Sequence, residues 1–155
     1  NFLGIGADNC KTAVVVENSA PFGILITNGE FVSFNGPDPT MVRVTGTNTG
    51  VVRFSNCAFW GPCHRNAVID GKGTVGFSDC TFVQWGHKGQ DAYSIEAAGG
   101  SLLVRGCEFR EDKPQVWIKD GVQRAVVTDN LIRGEARIKN EARGVVVIED
   151  NAAAP

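Results

Sequence analysis

The chain has little of what usually fixes a fold by cross-linking or spans a membrane. Its five cysteines, Cys10, Cys57, Cys63, Cys80 and Cys107, are an odd number, and no two stand as a CxxC pair. That argues against a zinc site or a dense disulfide framework, and leaves Cys10 with Cys63 as the one cross-link to consider. No apolar run approaches the roughly 20 residues that cross a bilayer, and Asn1-Phe2-Leu3-Gly4 has no basic stretch ahead of an apolar one, so no membrane partner is expected. Neither sign of charge is in excess: 15 Lys and Arg against 17 Asp and Glu leave −2. A nucleic-acid partner would need a basic footprint that this balance does not supply. Neither a Ser, His, Asp order nor a phosphate-cradling glycine motif is present, and no cofactor is expected.

Glycine, in contrast, is abundant at 19 residues, more than a helical bundle would carry, because glycine weakens helices and marks turns. With 43% hydrophobic and 21% charged residues the 155-residue chain can bury a core, and its length suits a single domain, residues 1–155.

One segment recurs. In register it reads ILITNGEF (24–31), VRFSNCAF (52–59), VGFSDCTF (75–82), LLVRGCEF (102–109), AVVTDNLI (125–132) and VVIEDNAA (146–153). The fifth positions, Asn28, Asn56, Asp79, Gly106, Asp129 and Asp150, follow one another at steps of 28, 23, 27, 23 and 21 residues. Asn, Asp and Gly tolerate the left-handed backbone that a short bend between strands requires. Each copy therefore reads as strand, bend, strand. A third alternating segment lies between copies: 42–45, 67–70, 93–96, 116–119 and 136–139. Three short strands per repeat with no helical period predict an all-β parallel solenoid of about six turns. Stacking predicts a core column of Phe31, Phe59, Phe82, Phe109 and Ile132, and a second inward column of Cys57, Cys80 and Cys107, read as reduced, small apolar filling.

The asparagine-type bends, three sheets and long loops on one side resemble the right-handed parallel β-helix of the pectate-lyase-like superfamily, which includes polysaccharide lyases and glycoside hydrolase family 28. The stretch from about Cys10 to Asn151 is similar to the carboxyl-terminal part of bacterial β-helix proteins grouped with those glycosidases. The resemblance implies an extracellular or cell-surface protein whose partner is a polysaccharide or oligosaccharide. Three readings stay open: a polygalacturonase-like hydrolase, a lyase, and a non-catalytic structural, adhesive or glycan-binding module. The resemblance also implies a domain that forms the carboxyl-terminal part of a longer chain. Phe2-Leu3-Gly4-Ile5 shows no amphipathic capping helix, so either an upstream segment or another chain is expected to cover that end.

By the same resemblance, the substrate groove runs along the third-strand set. Taking Val44, Ile69, Ile95, Ile118 and Ile138 as inward, alternation puts Arg43, Val68, Ser94, Trp117 and Arg137 in one outer column and Thr45, Asp70, Glu96, Lys119 and Lys139 in the other. Asp70 and Glu96 on neighbouring turns would stand about 5 Å apart, a spacing that suits the nucleophile and acid of a retaining glycosidase. The same residues also read as alternating charge on a solvated sheet, with Glu96 paired to Lys119. Trp117 offers a plate for a sugar ring, and Arg43, Arg137, Lys119 and Lys139 offer cations for an acidic one.

Arg137-Ile138-Lys139 matches the RIK triplet of family 28 and Gly86-His87 resembles its GHG element, whereas the family's NTD motif and paired Asp-Asp are absent. Loops carrying Trp60, Cys63, His64 and Arg65, and then Trp85, His87, Lys88, Gln90 and Asp91, could line one end of the groove, His64 and His87 among the contacts. Both tryptophans also follow core phenylalanines closely enough to cover the side of the solenoid instead. His64 and His87 lack a third ligand of suitable spacing, and Asp70, Glu96 and Asp91 are too few for a calcium cluster, so no metal is expected.

Overall fold

The computed structural model describes residues 1–34, 36–87 and 91–154; Lys88 and Gln90 lie outside the described residues. Among the described residues there are twenty strands and no helix, arranged in three wholly parallel sheets. The first sheet stacks Phe2–Leu3, Ile24–Thr27, Val51–Ser55, Thr74–Ser78, Gly100–Arg105, Val122–Thr128 and Val145–Glu149. The second stacks Gly6–Ala7, Glu30–Val32, Ala58–Trp60, Thr81–Val83, Glu108–Phe109, Leu131–Arg133 and Ala152–Ala154. In the third are Val14–Val16, Thr40–Val44, Arg65–Ile69, Ile95–Ala97, Val116–Ile118 and Ile138–Asn140. The chain passes through the sheets in turn, so it is a β-solenoid of about six coils.

All six bend residues adopt the left-handed conformation, with φ of 56° at Asn28, 51° at Asn56, 55° at Asp79, 64° at Gly106, 59° at Asp129 and 54° at Asp150. Gly4, at φ 64°, is a seventh bend, which joins Phe2–Leu3 to Gly6–Ala7 and extends the repeat one coil towards the amino terminus. A β-branched side chain is poorly tolerated there. Asp79→Val is expected to lower stability by about 1–2 kcal/mol while Asp79→Gly stays close to wild type, as read by urea unfolding.

First- and second-sheet registers follow the repeat: Ile24 pairs with Val52, Val52 with Val75, Val75 with Leu102, Leu102 with Ala125 and Ala125 with Val146. The phenylalanines consequently stack, Phe31 on Phe59 at 5.4 Å, Phe59 on Phe82 at 5.1 Å and Phe82 on Phe109 at 4.9 Å between ring centroids. Phe54 stacks on Phe77 at 5.2 Å in a parallel column and meets Phe59 edge-on.

Just after each bend the inward side chain lies near a carbonyl of the preceding coil. Cys57 Sγ reaches Ile26 O at 3.7 Å, Cys80 Sγ reaches Phe54 O at 3.6 Å and Cys107 Sγ reaches Phe77 O at 3.6 Å. Asn130 Nδ2 then donates to Val104 O at 3.2 Å and Asn151 Nδ2 to Val127 O at 3.0 Å. Thiol and amide thus occupy one position beside the same carbonyl, but each single S–H has a nearer acceptor two residues back, Ser55 O at 3.4 Å, Ser78 O at 3.3 Å and Arg105 O at 3.4 Å, so the cysteines are weak donors as well as small filling. None of the five cysteines is disulfide-linked, Cys10 and Cys63 included. Burial holds the Cys63 thiol protonated, pushed up to about 12.

The surplus glycine has a further cause at the corner that leads into the first sheet. A methyl on Gly73 would run into the Gly50 carbonyl, and one on Gly100, at φ 64°, into the Gly73 carbonyl. The coils close here only because no side chain intervenes.

Candidate functional site

The third sheet keeps the predicted inward and outward faces but not the predicted register. Val44 pairs with Ile69, Ile69 with Ala97 and Ala97 with Ile118, while Ile95 pairs with Ala67 and Val116, and Val116 with Ile138. Ile95 and Ile138 thus belong two residues away from the column assigned to them. A slip of two preserves the alternation, so the hydrophobic pattern cannot reveal it. The loops before these strands differ in length, and their positive-φ glycines recur at no one distance, Gly36 four residues ahead of Thr40 and Gly86 nine ahead of Ile95.

The correction separates the two carboxylates. Glu96 stands opposite Val68, not Asp70, and the outer row reads Arg43, Val68, Glu96, Trp117 and Lys139. Glu96 is buried between two cations: Arg65 Nε donates to Oε1, and Lys119 Nζ donates to Oε2 at 2.9 Å. Burial alone would raise its pKa. Arg65 and Lys119 outweigh that and hold the carboxyl below the usual carboxylate range. It stays ionised at neutral pH with both oxygens engaged, an arrangement unsuited to a general acid. Asp70 is exposed just past the end of its strand.

Trp117 does not present an open plate. The ammonium of Lys119 lies 4.4 Å from its ring centroid and that of Lys139 4.3 Å, Tyr93 packs at 5.6 Å, and the indole Nε1 donates to Glu141 Oε2 at 2.8 Å. The ring acts as an anchor that positions two cations. Lys139 is also bonded to Glu141 Oε1 at 2.8 Å. Arg137 pairs with Asp112 of the previous coil, so the RIK triplet here is one arginine in an ion pair, one inward isoleucine and one lysine over an indole. Arg43 is exposed between Val15 and Val68 on the same face.

The histidines lie apart from this row. His64 is half-buried beside Pro39, whose carbonyl accepts its backbone N–H at 2.8 Å. His87 is exposed on an open cleft of about 250 Å³ together with Pro62, Gln84, Trp85 and Lys113. Trp85 is fully buried, edge-on to Phe109 at 6.0 Å, with Nε1 donating to Pro114 O at 2.8 Å, and so it covers the solenoid side. Trp60 does not; it is 43% exposed on the outer face of the second sheet.

No family model, curated protein or solved structure matches the chain.

One buried feature escaped the sequence reading. Asn66, Ser94 and Gln115 occupy successive third-sheet coils on the outer side of their strands, yet all are fully buried. Ser94 Oγ bonds Asn66 Oδ1 at 2.6 Å, and Gln115 Oε1 accepts the Arg137 N–H at 2.7 Å. These side chains satisfy polar groups that the loops close over. The only sequence signal is a polar residue immediately before an inward apolar one, Asn66 before Ala67, Ser94 before Ile95 and Gln115 before Val116.

Proposed function

We propose that this chain is a non-catalytic β-solenoid module that binds an acidic polysaccharide along its third sheet. The carrying observation is the Arg65–Glu96–Lys119 ladder, which occupies the best-placed carboxylate of this face on both oxygens and leaves Asp70 out of register with it. A glycosidase needs one carboxyl free to give a proton and a second opposite it; here the face supplies fixed cations instead. Lys119 and Lys139, held over Trp117, each spend one of three ammonium donors on Glu96 or Glu141, and their remaining N–H groups with exposed Arg43 are the donors available to carboxylate or sulfate groups. The resemblance to carbohydrate-active β-helices supports a glycan as the ligand and an extracellular or cell-surface setting, an argument by fold analogy.

The test is titration of a uronic-acid oligosaccharide against wild type and Lys139→Ala. Loss of one charge-assisted contact is expected to weaken binding at this face about tenfold, with the weakening reduced at high salt. Equal affinity for the variant would remove the face from the account.

A further inference from the structure

The third sheet is internally satisfied to a degree that the second is not. Along the outer face of the second sheet, Val32 pairs with Trp60 and Trp60 with Val83. The next coil brings Arg110, whose N–H donates to Phe82 O at 3.1 Å, and the coil after it brings Arg133, beside Arg110 because Phe109 pairs with Ile132. One row therefore runs apolar, aromatic, apolar, cationic, cationic, at a strand spacing of about 4.8 Å.

Three properties set this row apart from an ordinary solvated face. Trp60 is 43% exposed, flanked by half-buried valines, with Phe34 exposed two residues beyond Val32; an apolar body of this size is costly to leave in water unless something stacks on it. Arg110, just past the strand Glu108–Phe109, and Arg133 are like charges on adjacent coils, an arrangement that disfavours the unliganded sheet. Glu108 offsets only part of this, at 3.6 Å from Arg110, and Arg133 has no carboxylate within ion-pairing distance among the described residues. Finally, Arg110, Arg133, Glu108 and exposed Leu131 line one open cleft of about 410 Å³, so both arginines belong to a shared shallow depression.

We infer that the outer face of the second sheet is a second saccharide-binding surface, with Trp60 as the stacking plate for a sugar ring and Arg110 and Arg133 as the clamp for a carboxylate or sulfate farther along the same chain. Guanidinium forks match planar carboxylates with two parallel donors, which a single lysine cannot do. An indole offers sugar C–H groups the flat apolar face that Trp117 has given over to its lysines. This inference rests on the carbohydrate reading proposed above but shares no residue with the third-sheet face.

Calorimetric titration of the full chain with a uronic-acid hexasaccharide and with its neutral, carboxyl-reduced counterpart separates the possibilities. Two binding events are expected for the acidic probe. Trp60→Ala and Arg133→Ala should each weaken one of them about tenfold, Arg133→Lys should recover only part of the loss, and the neutral probe should lose the contribution of the clamp. Trp60 and Arg133 are surface residues, so thermal unfolding of each variant should match wild type. If affinity falls only in Lys139→Ala, the second-sheet surface is overturned and the third-sheet reading stands. If it falls only in Trp60→Ala and Arg133→Ala, the converse holds. Absence of any binding to either probe overturns both.

Discussion

Phe82→Ala is expected to cost about 3–5 kcal/mol, the range for truncating a fully buried aromatic side chain. Phe82 is fully buried, stacked between Phe59 at 5.1 Å and Phe109 at 4.9 Å, and edge-on to Phe77 at 5.6 Å. Its removal opens a cavity in the middle of the phenylalanine column, and the coils on either side cannot collapse onto it because backbone hydrogen bonds hold their spacing. A solenoid is stabilised mainly by contacts between neighbouring coils, so the break should also separate unfolding into two transitions, one for the coils on each side. Urea unfolding followed by circular dichroism would show the lower midpoint. A single transition at the wild-type midpoint would contradict the packing described.

Replacing Glu96 should be nearly as damaging, for an electrostatic reason. Glu96→Ala leaves Arg65 and Lys119 facing a buried gap, and an expected loss of about 3 kcal/mol sits at the lower end for a broken buried pair, because both cations remain partly exposed and can regain water. For a chain of this length that corresponds to roughly 6–12 °C in melting temperature. The pH dependence has a definite sign. Because the folded carboxyl is held below the ordinary glutamate value of 4.5, the unfolded chain takes up the proton first as pH falls. The stabilisation is therefore complete above about that value and is lost as pH drops through the folded pKa. Wild type and Glu96→Gln should differ most at neutral pH and converge in acid; a gap independent of pH would show that Glu96 acts through packing alone.

How much of this was legible in the sequence differs from sheet to sheet. The bends were, because a left-handed bend favours Asn, Asp or Gly, and once Asn28, Asn56, Asp79, Gly106, Asp129 and Asp150 are aligned the registers of two sheets follow. Gly4 is not legible as a bend, because Phe2-Leu3 is too short to display alternation. In the third sheet, Ile95 and Ile138 could slide by two residues without exposing an apolar side chain, so periodicity left the register open, and with it the pairing of Asp70 and Glu96. The expected Glu96 to Lys119 contact is present at 2.9 Å. That Arg65 would hold the other oxygen, or that Asn66, Ser94 and Gln115 would be sealed beneath loops, depends on how those loops fold back, which local pattern does not encode. Trp85 and Trp60, alike in sequence context, part company for the same reason: one loop turns its indole inward onto Phe109, whereas the other indole sits on a strand and points out.

The most direct test of the central claim, a glycan-binding solenoid without turnover, is a polysaccharide panel assayed with the same preparation for binding, for release of reducing ends and for absorbance of unsaturated products. The account predicts binding of acidic glycans with neither reducing ends nor unsaturated products above a buffer control. Turnover that disappears in Glu96→Gln or Asp70→Asn would contradict it and restore a catalytic role to the third sheet.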